Sequence, residues 1–173
     1  MLPKELISAP AIARRVQELA REIDGKLPPG PLTVVGVLRG AFIFMSDLVR
    51  AVPRQMSCDF LGVRSYGDAT VSSGVVEITS DLAAPISGRH VLLIEDIADT
   101  GLTLKYLQDL LRARGPLSLH TAVLMAKKTL PDNVKIDFVG FEAPNAFVVG
   151  YGLDAAQLYR NLPYIGSIEP TKA

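Results

Sequence analysis

The amino-acid sequence predicts an α/β fold in which helices flank a central, twisted, mainly parallel sheet. Runs made almost wholly of apolar residues, such as LTVVGVL at 32–38 and VLLI within 90–96, are typical of parallel strands buried on both faces. Segments with apolar residues at helical spacing alternate with these runs along the chain. That alternation is typical of a doubly wound sheet.

The first two helices are indicated by their boundaries. Ser8 suits an N-cap and Pro10 suits the first turn, and the helix is expected to end at Gly25. Its apolar positions follow helical spacing: Ile12, Val16, Leu19, Ala20 and Ile23. A turn at Arg39 and Gly40 leads from the strand 32–38 into a second helix. The apolar side of that helix includes Ala41, Met45, Leu48 and Val49.

Six further segments have the apolar or alternating pattern of strands. They are 57–66, 74–82, 90–96, 117–125, 136–141 and 147–151. A third helix is predicted over about 102–114, before Gly115 and Pro116. The small, polar segment 67–74 is expected to be a mobile loop. The first helix and the tail 161–168 are expected to form a small hood over the carboxyl edge of the sheet.

The composition excludes some classes of protein. Eighteen basic residues balance 18 acidic ones, so bulk charge indicates neither a nucleic-acid partner nor an anionic membrane. The single cysteine, Cys58, cannot form a disulfide framework, and no secretory h-region is present, which predicts a cytoplasmic protein. Cys58 lies in a strand-like stretch and is interpreted as a small core residue rather than a nucleophile. One domain spanning residues 1–173 is expected from the length.

The segment 93–103, LIEDIADTGLT, indicates a ligand site. Ligands bind beyond the carboxyl ends of strands in open α/β sheets, where Glu95 and Asp96 are expected. The turn that follows supplies hydroxyls, a glycine and the free N–H groups of a new helix, a combination that binds a phosphate. The carboxylates need donors or a cation, such as the hydroxyls of a ribose or Mg²⁺. A phosphoribosyl pyrophosphate would supply all of these groups.

Other interpretations of this segment stay open on its residues alone. Acidic residues also favour helix N-termini through the macrodipole, without any ligand. The dinucleotide and P-loop glycine motifs are absent from the chain. A phospho-accepting receiver domain has a similar acidic strand end, but there the acidic pair follows the first strand, whereas here a full βαβ unit precedes it.

Longer motifs narrow the choice among these interpretations. VLLIEDIADTGLTL (91–104) resembles the phosphoribosyl-pyrophosphate signature of type I phosphoribosyltransferases. The segments 36–50, 60–78 and 137–168 resemble the hypoxanthine–guanine phosphoribosyltransferases, and the likeness runs in order through nearly the whole chain. This resemblance implies the type I phosphoribosyltransferase fold.

The resemblance also implies a function. Enzymes of this family join hypoxanthine or guanine to phosphoribosyl pyrophosphate, giving IMP or GMP and pyrophosphate, with Mg²⁺ as cofactor. The substrates are then small molecules, and a homodimer or homotetramer is expected. Two alternatives remain: a non-catalytic regulator that senses a nucleotide in the same pocket, and a transferase that prefers xanthine.

The resemblance implies roles for the residues of the segment 93–103. Glu95 and Asp96 match the pair that holds the ribose hydroxyls beside Mg²⁺. The 5′-phosphate loop comprises Asp99, Thr100, Gly101, Leu102 and Thr103. Asp99 matches the catalytic group that accepts the proton of purine N7, although on its residues alone it could simply cap the helix.

Residues elsewhere match the remaining substrate groups. The pyrophosphate ligands implied are Leu38, Arg39, Gly40 and Arg160, with Arg39 standing where a lysine is common in the family. In members of this family, the peptide bond at the position of residues 38 and 39 is commonly cis. The implied purine ligands are Lys127 at O6, Phe147 stacked on the base, Val148, and Asp154, which would also bind a second Mg²⁺. Ser65 and Tyr66 match the start of a lid that excludes water.

Overall fold

The computed structural model describes residues 2–66 and 75–169. Its helices are α1 (Ala9–Lys26), α2 (Phe42–Ala51) and α3 (Leu102–Arg112). Its strands are β1 (Lys4–Ile7), β2 (Leu32–Leu38), β3 (Met56–Tyr66), β4 (Val75–Ser80), β5 (His90–Ala98), β6 (Ser118–Ala126), β7 (Phe138–Glu142), β8 (Phe147–Val149) and β9 (Ile165–Ile168).

Six strands form the central sheet in the order β4-β3-β2-β5-β6-β7. Every neighbouring pair is parallel except β3 with β4, which is antiparallel at the edge. Helix α2 links β2 to β3 and helix α3 links β5 to β6, as the alternating pattern predicts. The predicted mainly parallel α/β sheet is therefore confirmed.

The apolar runs are continuous because both faces of the sheet are covered. Successive strand residues point to opposite faces. Val34 and Leu92 accordingly pack with α1 and α2, whereas Val35 and Leu93 pack with α3 on the other face. All four side chains are almost wholly buried. A strand that is buried on both sides has no place for polar alternation.

The N- and C-terminal segments form a second, three-stranded sheet in the order β1-β9-β8. This sheet is the predicted hood, but the assignment of the first helix to it was wrong. Helix α1 lies against the central sheet, where Arg15 Nε donates to the carbonyl oxygen of Gly140 in β7 over 3.0 Å. Strand β1 supplies the N-terminal part of the hood instead. It has four residues and an almost fully exposed pattern, so the sequence carries no alternation there to predict it.

The interpretation of Cys58 as a core residue was also wrong, because its side chain is exposed. Strand β4 pairs with β3 only from Gly62 to Tyr66. The first half of β3 is therefore an edge of the sheet, where Phe60 is also exposed. Strand β8 is shorter than predicted, since Gly150 and Tyr151 take positive φ angles of 96° and 52° and end it.

The register of the central strands determines which loops meet. Strand β2 pairs with β5 so that Gly36 lies beside Ile94. The residues after Gly36 and those after Ile94 therefore reach the same carboxyl edge. Among the helices in the described part of the chain, none has the length and apolar character needed to cross a lipid bilayer.

Replacing Leu107 with Ala tests the packing of α3 on the sheet. Leu107 is fully buried, so its loss leaves a cavity and should lower the free energy of unfolding by about 2–5 kcal/mol. Urea denaturation measures this change. Leu117→Ala is the control, because Leu117 is 66% exposed and its truncation should change stability by less than about 0.5 kcal/mol. Equal effects of the two substitutions would contradict this account of the core.

Candidate active site

A cavity of about 390 Å³ opens at the carboxyl ends of β2 and β5. Three parts of the sequence supply most of its lining: 37–40, 95–101 with Thr103 and Leu104, and the pair Asp154 and Arg160; Val63 of β3 completes it. The parallel sheet brings the first two parts together, and the loop after β8 adds the third. Most of the predicted phosphate, ribose and pyrophosphate ligands therefore share one cavity.

Glu95 and Asp96 form a buried acidic pair at the end of β5. Glu95 is only 7% exposed. Burial, followed by the neighbouring charge of Asp96, raises the pKa of Glu95 well above its ordinary value. Burial also raises the pKa of Asp96, although the charge of Arg160 opposes this shift. The pair therefore favours any ligand that brings hydrogen-bond donors or a cation.

Gly40 allows the acidic pair to approach the loop after β2. A side chain on Gly40 would overlap the carboxylate of Asp96. The peptide between Leu38 and Arg39 is cis. The predicted pyrophosphate loop is thus in direct contact with the predicted ribose ligands.

The phosphate loop connects β5 to α3. Gly101 occupies the N-cap position with φ 79°, and a side chain there would come within 2.8 Å of Val134 Cγ2. No side chain caps the helix from this position. Thr100 Oγ1 accepts a 3.4 Å hydrogen bond from the N–H of Leu102. The alternative interpretation of Asp99 as the N-cap is therefore wrong, and its carboxylate is directed to another partner.

That partner is Lys127. The ammonium group of Lys127 forms an ion pair with Asp99 Oδ1. The backbone supports this contact, since the N–H of Lys127 donates to the carbonyl oxygen of Ala98 over 3.0 Å. The adjacent Lys128 points elsewhere and pairs with Glu142 at 2.8 Å. The predicted proton acceptor and the predicted O6 ligand are thus neighbours.

The loop after β8 carries Arg160 into the cavity. Arg160 Nη2 pairs with Asp154 Oδ1 at 2.6 Å, and Arg160 Nη1 donates to the carbonyl oxygen of Gly152 over 2.7 Å. A side chain on Gly152 would overlap the carbonyl oxygen of Gly40. This loop therefore lies directly against the predicted pyrophosphate loop.

The remaining predicted ligands lie outside the lining of this cavity. Phe147 is on β8 and is 49% exposed, whereas Val148 is buried. Ser65 and Tyr66 are the last residues of β3, paired with β4. The rest of the predicted lid, 67–74, lies outside the described residues.

Comparisons with known proteins decide the family. Residues 4–156 match the family model of the phosphoribosyl transferase domain. The chain is 47% identical to a hypoxanthine-guanine phosphoribosyltransferase of Bacillus subtilis, over 98% of this chain and 94% of that protein. The chain belongs to the hypoxanthine-guanine phosphoribosyltransferase family.

Two further comparisons agree with this assignment. A hypoxanthine-guanine phosphoribosyltransferase of Dictyostelium discoideum is 48% identical over 91% of this chain and 91% of its own. The crystal structure of a hypoxanthine phosphoribosyltransferase from Staphylococcus aureus superposes with a TM-score of 0.90 and 40% identity, covering 96% of this chain and 91% of that one. The resemblance in the sequence and the type I phosphoribosyltransferase fold are both confirmed.

Sequence reasoning missed two residues at this phosphoribosyltransferase site. Tyr151 is buried and donates its hydroxyl to Asp47 Oδ2 over 2.6 Å, which ties the loop after β8 to α2. Burial and the Asp47 carboxylate raise the pKa of Tyr151. Gln157 lies between Arg39 and Arg160. Neither residue carries a signal in the sequence, because Tyr151 bonds to Asp47 and Gln157 bonds to Arg39, each more than a hundred positions away.

The donor set fits Mg²⁺ that arrives with a substrate. Across residues 2–66 and 75–169, no group of three or more His, Cys, Asp or Glu side chains is arranged to hold a metal ion. The three predicted metal ligands therefore do not form one preformed cluster, and Asp154 is paired with Arg160. Mg²⁺ commonly binds through one or two carboxylates plus substrate phosphates and water. Glu95 and Asp96, whose raised pKa values favour a nearby cation, suit that mode.

Replacing Glu95 with Gln tests the burial of the acidic pair. A carboxyl group whose pKa is raised by folding contributes most stability at acidic pH, and loses that contribution as the pH rises through its folded pKa. Stability of the ligand-free protein should therefore fall from about pH 4 upward, and Glu95→Gln should flatten this fall. Urea denaturation at a series of pH values measures the free energy of unfolding.

The exposed Glu5 provides a control for this prediction. Glu5→Gln should leave the pH dependence of the free energy of unfolding as in the wild type. Parallel pH profiles for the wild type and Glu95→Gln would show that the acidic pair is not desolvated in the ligand-free protein.

Proposed function

We infer that the protein joins hypoxanthine or guanine to phosphoribosyl pyrophosphate, giving IMP or GMP and pyrophosphate, in a Mg²⁺-dependent reaction of purine salvage. One observation carries the inference: a single cavity combines a buried acidic pair, a phosphate loop at a helix N-terminus and two arginines. These groups match, in order, the diol, the 5′-phosphate and the pyrophosphate of one small-molecule substrate.

The proposed binding of phosphoribosyl pyrophosphate divides the charges of the site. The hydroxyls of Thr100 and Thr103 and the first N–H groups of α3 hold the 5′-phosphate with neutral donors. The ribose hydroxyls donate to Glu95 and Asp96, whose burial strengthens such bonds. Arg39 and Arg160 bind the pyrophosphate. Mg²⁺, when bound, supplies further positive charge for the leaving pyrophosphate.

The ion pair of Asp99 with Lys127 matches one edge of a 6-oxopurine. On that edge, N7–H is a donor and O6 is an acceptor. A carboxylate beside an ammonium presents the complementary acceptor and donor. Adenine carries an amino donor in place of O6, which would face the ammonium of Lys127. The pair therefore supports selection of 6-oxopurines.

The proposed catalytic step combines proton acceptance with charge stabilisation. As N9 attacks the anomeric carbon, N7 loses its proton to Asp99. The bond to pyrophosphate breaks as N9 bonds, and Arg160 and Arg39 stabilise the charge on the departing group. Ser65 and Tyr66 are proposed to begin the lid that keeps water from the anomeric carbon. Phe147, Val148 and Asp154 are proposed to contact the base.

The relatives named above are transferases, which favours an enzyme over the nucleotide-sensing regulator. A homodimer or homotetramer in the cytoplasm, built from one domain over 1–173, belongs to the same proposal. The exposed side chains of Phe42 and Phe60 line one depression beside Arg39, and support an interface between copies of the chain.

A panel of bases tests the proposed function. Purified protein with phosphoribosyl pyrophosphate and Mg²⁺ should form nucleotide from hypoxanthine or guanine, and none from adenine. Chelation of Mg²⁺ should abolish the product. Chromatography of the nucleotides measures both results. Binding of IMP with no turnover of any base would favour the regulator, and product from xanthine above the other bases would favour the xanthine transferase.

Replacing Lys127 with Ala tests recognition of O6. Loss of a charged hydrogen bond should reduce kcat/KM for hypoxanthine by about tenfold or more, and narrow the discrimination against adenine. Lys128→Ala is the matched control, since Lys128 pairs with Glu142 away from Asp99. A loss that leaves the ratio between bases unchanged would mean that Lys127 only supports Asp99.

Replacing Asp99 with Asn tests proton acceptance. Asn keeps the size of the side chain but cannot accept the proton, so kcat should fall roughly 10²-fold or more. Affinity for phosphoribosyl pyrophosphate should change little. Steady-state kinetics and calorimetry measure the two quantities. Asp109→Asn removes an exposed charge on α3 and should leave both unchanged. An undiminished kcat in Asp99→Asn would remove Asp99 as the base.

A further inference from the structure

The side-chain oxygen of Gln157 lies between the two arginines of the pyrophosphate site. Arg39 Nη1 donates to Gln157 Oε1 over 3.1 Å. Arg160 Nη2 donates to the same oxygen over 3.2 Å. Both neighbours are guanidinium groups, which donate and cannot accept, so the amide atom between them is the oxygen. We call this arrangement the Arg39–Gln157–Arg160 bridge.

Gln157 is held in position by the backbone of its own loop, the one that follows β8. Its φ angle is 68°, in the left-handed region that L side chains rarely adopt. The N–H of Gln157 donates to Asp154 Oδ2 over 2.7 Å, while Asp154 Oδ1 pairs with Arg160 at 2.6 Å. Asp154 therefore fixes both the Gln157 backbone and one end of the bridge. The Gln157 side chain then connects this loop to Arg39, on the loop after β2.

Electrostatics explains why the central group is a neutral amide. Two guanidinium groups that share one oxygen repel each other, and a carbonyl oxygen offsets that repulsion without cancelling their charge. Asp154 already pairs with Arg160, and a second carboxylate in this place would cancel more of the positive charge that an incoming pyrophosphate meets. An apolar side chain would leave the arginines free to separate. A neutral acceptor keeps the spacing of the two arginines without adding negative charge beside them.

We propose that Gln157 is a positioning residue, whose neutral oxygen holds Arg39 and Arg160 together before pyrophosphate binds. The inference rests on the proposed function and extends it to a residue that touches neither the base nor the ribose. Its effect should therefore fall on pyrophosphate and phosphoribosyl pyrophosphate, and leave the purine unaffected.

Two substitutions of Gln157 distinguish the effect of its side chain on pyrophosphate binding from an effect on folding. Asn adopts left-handed φ angles more readily than most residues, but it is one methylene shorter and cannot span both arginines. Gln157→Asn should therefore raise the Kd for inorganic pyrophosphate by about fivefold. Gln157→Glu keeps the length and both hydrogen bonds but adds a negative charge. It should raise this Kd by about tenfold or more without lowering the thermal unfolding midpoint.

Titration calorimetry with inorganic pyrophosphate in excess Mg²⁺ measures the Kd, so the test does not depend on turnover. In steady-state kinetics, KM for phosphoribosyl pyrophosphate should rise in both variants while KM for hypoxanthine stays constant. The same two substitutions at Gln55 are the control. Gln55 is exposed and immediately precedes β3, so it lies at the amino ends of the strands, opposite the cavity at their carboxyl ends. Its variants should bind pyrophosphate like the wild type.

Unchanged pyrophosphate affinity in both Gln157 variants would overturn this inference and leave the proposed function standing. A Gln157→Glu variant that loses thermal stability together with affinity would also overturn it, because the residue would then be structural. Wild-type protein that binds no pyrophosphate and forms no nucleotide would instead overturn the proposed function, and this inference with it.

Discussion

The parallel pairing of β2 with β5 is the constraint on which the candidate active site depends. It places the loop after β2 beside the acidic end of β5, in the register that sets Gly36 against Ile94. Gly40 completes the approach, since any side chain there would overlap the Asp96 carboxylate. Side chains alternate between the two covered faces, so a slip of one residue would move each side chain into the packing of the opposite face and displace the two loops relative to each other.

The charges of the site are balanced differently on its two sides. Asp99 and Asp154 each have a cationic partner within the protein, Lys127 and Arg160. Glu95, by contrast, is desolvated beside another carboxylate, and its pKa rises. A substrate that brings hydroxyl donors, a cation and an anionic leaving group therefore relieves the acidic pair and engages the arginines. The ligand-free protein already carries the complementary pattern of charge.

The sequence predicted most of the fold because strand burial and helical spacing are local signals. It placed candidate ligand groups at the end of β5 because the motif at 93–103 concentrates them in one turn. Its failures have a common cause. The structure differs from the prediction at strand β1, at the exposed Cys58 and at the packing of α1 on β7. Each of these depends on which strand lies at an edge of the sheet or on which strand the N-terminal segment pairs with. The neighbouring residues in the sequence carry no signal for either.

The sequence by itself therefore determined the order of the helices and of the central strands, and the family to which the motifs point. Only the tertiary structure decided which of those groups are partners. Asp99 caps no helix and pairs with Lys127, while Gln157 links Arg39 to Arg160 across two loops. The physical reason is range: helix and strand periods act over a few residues, whereas hydrogen bonds and ion pairs at the site join residues that only the folded sheet brings together.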